Sequence, residues 1–310
     1  VTTTLEEQAK AFMTREKRGE NSPLINVDGV KVYMDGVPND AEGGAPMIDR
    51  YETAPLFGTP SIDESTFATW MLRFDTEGLK VMAHATGSLS TRHFLNSIEA
   101  VRRANGSGPR HHLAHSMLVY PDELPRLAIT RSNMITEVSP FNIWVPDPSA
   151  NTPWIAMIGR DRFNIIQTPI RSMVDAGAVV TYGSDWDNVP DPNPRVGVEG
   201  MVTRQYPGHP EYGQWNKDER IYIQTAIEIF TRNGAMAMET EDETGTGDVL
   251  TISDLDDGEA VFQAQPGLIG SYGTFDIDAA GTWTYTRTTN LDSMNLGDLL
   301  TDSFTVTSAD

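Results

Sequence analysis

The feature of this chain that most constrains its fold is a set of three apolar runs that each end on a side chain able to bind a metal ion. The runs are Leu79–His84, His111–His115 and Ala176–Asp185, and segments with helical spacing lie between them. Because the carboxyl ends of parallel strands meet at one rim of a (β/α) barrel, we expect the three terminal side chains to lie close together. Imidazole nitrogens and a carboxylate are ligands that suit Zn²⁺. The sequence therefore predicts a divalent metal site at this rim, with Zn²⁺ as the expected ion.

Residues 1–238 alternate short apolar runs with amphipathic segments, which is typical of an α/β domain with a parallel sheet. Helical spacing occurs in the apolar residues of 94–101, 165–174 and 221–230. Five strands are predicted: Val30–Met34, Leu79–His84, His111–His115, Met134–Val138 and Ala178–Asp185. Because a TIM-type barrel needs eight strands, five strands predict only a partial (β/α) barrel.

From residue 239 onward the pattern changes to short Thr-, Tyr- and Phe-rich runs separated by Gly and Asp. The segment Thr282–Thr286 alternates with period 2, and Asp278–Gly281 has the composition of a turn between two such runs. A polar, glycine-containing stretch at 239–247 marks the change. We therefore predict two domains, an incomplete barrel over 1–238 and an all-β sandwich over 239–310.

The composition excludes several classes of partner. A formal net charge of −21 argues against nucleic acid, which needs a basic surface. Residues 239–310 hold fifteen acidic residues and one basic residue, hence −14 of that charge. The chain has no cysteine, so His, Asp, Glu and Lys must supply any site. No run of 18 apolar residues occurs, so no membrane span is expected. No signal-peptide pattern is visible in the sequence.

Five short motifs occur in a fixed order along the first domain. They are V-K-V-Y-M-D-G at 30–36, H-A-T-G at 84–87, R-H-H-L-A-H at 110–115, G-R-D-R at 159–162 and G-S-D-W at 183–186. Together they resemble the amidohydrolase-3 branch of the amidohydrolase superfamily, over roughly residues 20–240. The resemblance implies a metal-dependent hydrolase that uses a metal-activated water to cleave an amide-like C–N bond in a small molecule.

The same resemblance implies a role for each matching residue. His84 and His115 match metal ligands, and Asp185 matches an aspartate that binds metal and acts as the catalytic base. Lys31 lies where some superfamily members carry a carboxylated lysine that bridges two metals, and a salt-bridged lysine is the alternative. His111 either lines the substrate pocket or only fixes its strand.

The chain departs from the family pattern at several positions. Ser88 stands where the family usually has Asp, Ala114 where it has Glu, and Asp187 where it often has Pro. The superfamily holds one metal with a His-x-His pair, and this chain has histidines only at 84, 93, 111, 112, 115 and 209. Two functions therefore stay open: a metal-dependent hydrolase, or a non-catalytic extracellular adhesion or structural module.

The C-terminal residues carry a second set of ordered motifs. They are S-D-L-D-D-G-E at 253–259, Y-G-T-F at 272–275, G-T-W-T-Y-T at 281–286 and L-T-D-S-F-T-V at 300–306. This order resembles the VCBS repeat of large bacterial surface and secreted proteins. It implies a cadherin-like or Ig-like sandwich, an extracellular or cell-surface location, and a surface partner or homo-oligomer. Asp254, Asp256 and Asp257 either bind Ca²⁺ or form a solvated acidic loop.

Overall fold

The computed structural model describes residues 28–38, 44–54, 56–129, 134–139, 153–186, 192–238, 245–246, 250, 261–288 and 301–308. It divides into two compact units, Val1–Ala237 and Met238–Asp310. Each unit has its own cluster of buried apolar side chains.

The first unit contains five described strands, and helices lie between them along the chain. The strands are β1 (Gly29–Tyr33), β2 (Lys80–His84), β3 (His111–Ala114), β4 (Met134–Val138) and β5 (Val180–Tyr182). The helices are α1 (Glu64–Thr76), α2 (Ser88–Asn105), α3 (Leu124–Ile129), α4 (Pro153–Ile158), α5 (Arg160–Ile166), α6 (Ile170–Asp175), α7 (Pro194–Thr203), α8 (Ile223–Phe230) and α9 (Arg232–Met238). Short 3₁₀ turns cover Pro121–Glu123, Pro210–Tyr212 and Lys217–Glu219.

The five strands form one parallel sheet in the order β1-β2-β3-β4-β5. The predicted α/β class with a parallel sheet of five strands is therefore confirmed, and the sheet is consistent with part of a TIM-like barrel. β5 is shorter than predicted, since it ends at Tyr182 and not at Asp185. Gly183 still donates a backbone hydrogen bond to Val138, and the left-handed conformation of Asp185 then turns the chain out of the strand.

Helix positions follow from local sequence. Asp63 caps α1 because its side chain accepts a hydrogen bond from the Thr66 N–H at 3.0 Å. Phe67, Met71 and Phe74 are buried at helical spacing on one face of α1. The predicted helical pattern at 94–101 lies within α2, and the pattern at 165–174 is divided between α5 and α6. Pro169 lies in that division and cannot continue a helix.

Alternation along the strands gives the parallel sheet two different faces. One row of aligned residues is buried, and all but Thr136 belong to the main apolar cluster, which includes helix residues. The row is Val32, Ala83, Leu113, Thr136 and Val180. The next residue of each strand points to the opposite face. That second row is Tyr33, His84, Ala114, Glu137 and Thr181. The second face therefore carries the ionisable side chains.

The second unit contains an antiparallel sheet. Three five-residue strands, β7 (Gln265–Ile269), β8 (Gly273–Ile277) and β9 (Trp283–Arg287), pair in sequence order, and the two-residue β6 (Gly245–Thr246) pairs with β9. Asp278 closes the β8–β9 turn, since its side chain accepts hydrogen bonds from the backbone N–H groups of Ala280 and Thr282 at 2.9 Å. The described residues show one sheet here, so the cadherin-like or Ig-like sandwich stays a prediction.

None of the helices in the described part of the chain is long and apolar enough to cross a membrane.

Candidate active site

The candidate site lies on the second face of the parallel sheet, at the carboxyl ends of its strands. His84 is the last residue of β2, and His115 and Asp185 lie just beyond β3 and β5. His115 and Asp185 have φ angles of 73° and 53°. A non-glycine residue in this left-handed conformation costs roughly 1–2 kcal/mol, and such strain clusters at functional sites. The site is therefore built from strand ends and from the tight turns that follow them.

His84 is held by a buried carboxylate. Its Nδ1 lies 2.8 Å from Oδ1 of Asp35, whose side chain is fully shielded from solvent. The same carboxylate accepts hydrogen bonds from the backbone N–H groups of Thr86 at 3.1 Å and Gly87 at 2.8 Å. Asp35 thus ties the end of β1 to the turn after β2. Since Nδ1 of His84 is engaged, its Nε2 is the ring nitrogen left for a ligand.

His115 is held in a similar way. Its Nδ1 lies 2.9 Å from the Ser139 hydroxyl oxygen, just after β4. The two imidazole rings of His84 and His115 are 4.6 Å apart between centroids, in an edge-to-face arrangement. Burial, with a smaller contribution from the charges of His84 and Lys31, lowers the pKa of His115 to about 3. His115 is therefore neutral at physiological pH, the state in which an imidazole nitrogen binds a metal ion.

Three charged side chains make up the rest of the site. Burial raises the pKa of Glu137 to about 7, an effect that the Lys31 ammonium opposes and the Asp185 carboxylate reinforces. Desolvation lowers the pKa of Lys31, and the two carboxylates oppose that shift. Glu137 packs so closely on Gly183 that a Cβ added there would clash with Oε1 of Glu137. The glycine of G-S-D-W therefore makes room for a carboxylate on the neighbouring strand.

His111 does not belong to this group, and of its two interpretations its contacts favour the residue that fixes its strand. It lies at the start of β3, on the helix-covered face, and is completely buried. Its Nδ1 accepts a hydrogen bond from the Val81 N–H at 3.0 Å, and its Nε2 lies 2.9 Å from Oδ2 of Asp75. Both ring nitrogens are engaged, at the end of the sheet away from His84.

The predicted calcium ligands Asp254, Asp256 and Asp257 lie outside the described residues. Asp187, which departs from the family pattern, also lies outside them. Ser88, the other departure near His84, is the first residue of α2, and its hydroxyl accepts a hydrogen bond from the Ile48 N–H at 3.0 Å. It therefore supports the turn after β2.

The donor chemistry of the site fits a divalent metal ion only in part. His84 and His115 have their Nδ1 atoms engaged and their rings adjacent, which suits two neighbouring ligand positions. Within the described ranges, however, no three His, Cys, Asp or Glu side chains are placed to hold one ion. Asp185 interacts electrostatically with Lys31 and Glu137 instead. The described residues thus supply two of the expected ligands and not a complete set.

Three residues of the site were not predicted from the sequence: Asp35, Glu137 and Ser139. Asp35 lies inside the first of the five motifs, but its role depends on the register that aligns Tyr33 with His84. Glu137 is the one charged residue of the run Met134–Val138. A carboxylate within an otherwise apolar or neutral strand is rarely buried without a function or a partner, and that signal could have found it.

Comparisons with known proteins agree with this picture. A family model described as the amidohydrolase family, of the amidohydrolase-3 type, matches residues 2–246. The crystal structure of an uncharacterised metal-dependent hydrolase from Pyrococcus furiosus is 18% identical, with a TM-score of 0.60, and the match covers 75% of this chain and 45% of that one. A metal-dependent hydrolase from Pyrococcus horikoshii OT3 is 19% identical, with the same TM-score of 0.60 and the same coverage of 75% and 45%.

These likenesses concern the fold, and the chain spans less than half the length of each of these two solved structures. Among curated proteins, no match was found. The family match extends over most of the chain and includes all five motifs of the first domain. The resemblance predicted from those motifs is confirmed, and the chain belongs to the amidohydrolase family, in its amidohydrolase-3 branch.

Proposed function

We propose that this chain serves in the metal-dependent hydrolysis of an amide-like C–N bond in a small molecule. The observation that carries the proposal is the His84–His115 pair, in which Asp35 and Ser139 engage both Nδ1 atoms. Partners of this kind orient metal-binding histidines in many proteins. Family membership supports the dependence on a divalent metal, and Zn²⁺ is the ion we expect from the imidazole donors. Such an ion supplies Lewis acidity and lowers the pKa of a water molecule.

The chain's own residues have separate tasks in this proposal. Asp185 accepts a proton from the attacking water and returns it to the leaving nitrogen, as a general base and then a general acid. Lys31 interacts electrostatically with Asp185 and Glu137, so its ammonium group stabilises negative charge on the two carboxylates. Glu137 has a pKa of about 7, which allows it to exchange a proton near neutral pH. A carboxylated Lys31 is not needed for these tasks.

The experiment that tests the proposal measures bound metal first and hydrolysis second. We expect the purified chain to bind Zn²⁺ through His84 and His115, and the Co²⁺-loaded chain to show absorption bands shaped by imidazole ligands. His84→Ala and His115→Ala should each weaken binding at least tenfold, since each removes one ligand. His209→Ala is the control, because His209 is exposed and its imidazole pairs with Glu211, a near neighbour in sequence.

Hydrolysis is then followed on a panel of small N-acyl amides with the metal-loaded chain. Asp185→Asn should lower the rate about 100-fold or more while leaving Zn²⁺ stoichiometry measurable, because the amide cannot accept the proton. Absence of bound metal in the unsubstituted chain, or equal binding in the two histidine variants, would contradict the proposal.

A further expected result concerns Asp35. Asp35→Asn keeps the size of the side chain but offers one acceptor oxygen where the carboxylate offers two to His84, Thr86 and Gly87. Loss of such a supporting carboxylate typically weakens metal affinity 10- to 100-fold. Competition with a chelator measures this, and circular dichroism checks that the fold is kept. Unchanged affinity would show that Asp35 only fixes the turn after β2.

For residues 239–310 we also propose a VCBS-type domain with bound Ca²⁺ and an extracellular or cell-surface location. The order of the four C-terminal motifs supports this proposal, as does the acidic composition near Asp254.

A further inference from the structure

Arg204 is a buried cation. It follows α7 and is completely shielded from solvent. Its Nε donates to the Trp215 carbonyl oxygen at 3.2 Å, and its Nη2 donates to Oε1 of Gln167 at 3.0 Å. Both acceptors are neutral. Its Nη1 is buried and has no hydrogen-bond partner among the described residues. Across the described residues, no carboxylate lies within ion-pair distance of the Arg204 guanidinium group, so its charge is uncompensated by direct contact.

The Glu219 carboxylate acts on Arg204 electrostatically from a distance, but its oxygens already accept hydrogen bonds from another residue. Its two carboxylate oxygens accept hydrogen bonds from the Ser172 N–H at 2.9 Å and the Ser172 hydroxyl at 2.6 Å. Burial is the larger effect on Arg204 and, although Glu219 opposes it, lowers the pKa of Arg204 to about 10. Arg204 thus keeps its charge at neutral pH, in a place where an unpaired charge is strongly unfavourable.

Trp215, which lies next to Arg204, carries a second buried N–H donor. Trp215 donates its backbone N–H to the Arg204 carbonyl oxygen at 2.8 Å, and its side chain is buried. In the part of the chain that the structure describes, no acceptor contacts its indole Nε1. The Trp215 ring packs against Phe163 in α5, at 5.7 Å between centroids, and the Arg204 guanidinium contacts Gln167 at the end of the same helix. Trp215 and Arg204 therefore pack against the same short helix and the residue that follows it.

Buried polar groups without a protein partner are rare in native proteins, and a bound ion or water molecule commonly satisfies them where they occur. Both groups here are N–H donors, so the missing group must accept hydrogen bonds. One of the donors carries a full positive charge, which favours an anion over a neutral acceptor. Neither side chain reaches the surface, so the occupant must be small.

We propose that Arg204 Nη1 and Trp215 Nε1 together bind a buried monovalent anion of about the size of chloride. The site is separate from the proposed metal site, but it supports the segment that follows His115. Gln167 and Thr168 pair with that segment, through the Leu118–Gln167 bridge and a 2.7 Å hydrogen bond from the Thr168 N–H to the Met117 carbonyl. The anion therefore stabilises Gln167 and Thr168, which in turn contact the segment that follows His115.

The test compares thermal unfolding of the full chain in sodium chloride and in sodium gluconate at equal concentration. The chain has a net charge of −21, so both salts screen it, and equal concentration makes that effect the same. We expect chloride, but not gluconate, to raise Tm along a saturating curve, as a ligand specific for the folded state does. Trp215→Phe keeps an aromatic ring and removes the donor, so it should raise the apparent chloride Kd about tenfold.

Trp70→Phe is the matched control, because Trp70 is partly buried against a different apolar cluster. It should leave the difference in Tm between the two salts unchanged. Crystals grown in bromide locate the bound anion, and we expect its anomalous peak between Arg204 and Trp215. Equal Tm in both salts, an unchanged chloride effect in Trp215→Phe, or bromide bound elsewhere only would each overturn the proposal.

Discussion

Replacing Glu137 by glutamine is expected to raise the free energy of unfolding of the metal-free chain at pH 8 by up to about 3 kcal/mol. Burial lifts the pKa of Glu137 from 4.5 to about 7, and each unit of pKa is worth about 1.4 kcal/mol. Because the folded state holds this proton more tightly than the unfolded state, the stabilising effect is complete below about pH 4.5. It is lost as the pH rises through about 7. Glutamine has the same shape and no charge to desolvate.

The measurement is urea unfolding in the presence of a chelator, at several values between pH 5 and pH 8. The unsubstituted chain should lose stability over this range, and Glu137→Gln should lose much less. Glu228→Gln is a suitable control, since Glu228 lies in α8 with its side chain exposed. The same pH dependence in Glu137→Gln and in the unsubstituted chain would show that this carboxyl group does not titrate near neutral pH. A stabilising substitution that lowers hydrolysis would identify Glu137 as a group kept for function.

Replacing Asp75 by alanine is expected to lower the free energy of unfolding by about 3–5 kcal/mol. The Asp75 carboxylate is 1% exposed, and it binds Arg102, Asn105 and His111. The variant would leave the Arg102 guanidinium, whose side chain is 11% exposed, without its ion-pair partner. Removing one member of a buried ion pair is among the most damaging single changes.

The same carboxylate predicts a loss of stability in acid. Desolvation raises the pKa of Asp75, but hydrogen bonds from His111, Asn105 and Arg102 outweigh it and bring that pKa from 3.8 to about 2. The ionised form therefore stabilises the folded chain above about pH 4, and this contribution of roughly 2 kcal/mol is lost as the pH falls toward 2. Asp122→Asn is the control, because the Asp122 side chain is 68% exposed where it pairs with Arg92. It should change the free energy of unfolding by less than about 0.5 kcal/mol.

Strand periodicity was enough to predict the parallel sheet, because buried strands are short apolar runs whatever surrounds them. It also placed His84 beside His115, since they lie at the carboxyl ends of two strands that pair directly. For His111 the sequence left two interpretations open, a pocket residue or one that only fixes its strand. A histidine at the start of a strand and one at its end look alike in a motif, but they lie at opposite ends of the sheet. Side-chain alternation then put His111 on the helix-covered face.

The partners of the site residues could not be read from the sequence. Asp35 reaches His84 across 49 positions of chain, and Ser139 reaches His115 across 24. Both contacts depend on register, which the amino-acid pattern specifies only loosely. Arg204 and Trp215 are separated by 11 positions, and nothing in their local sequence indicates burial of a charge. Contacts of this kind come from packing and not from periodicity.

The position of β1 has a consequence for experiments on Lys31. Among the described strands β1 forms one edge of the parallel sheet, and Lys31 and Tyr33 are both exposed on it. A strand at the edge of a sheet can recruit a strand from another molecule, and an edge lysine is a common defence against such self-association. Lys31→Ala would remove that defence together with the charge beside Asp185. Lys31→Arg keeps the charge on the edge but cannot be carboxylated, so it separates aggregation from loss of metal chemistry.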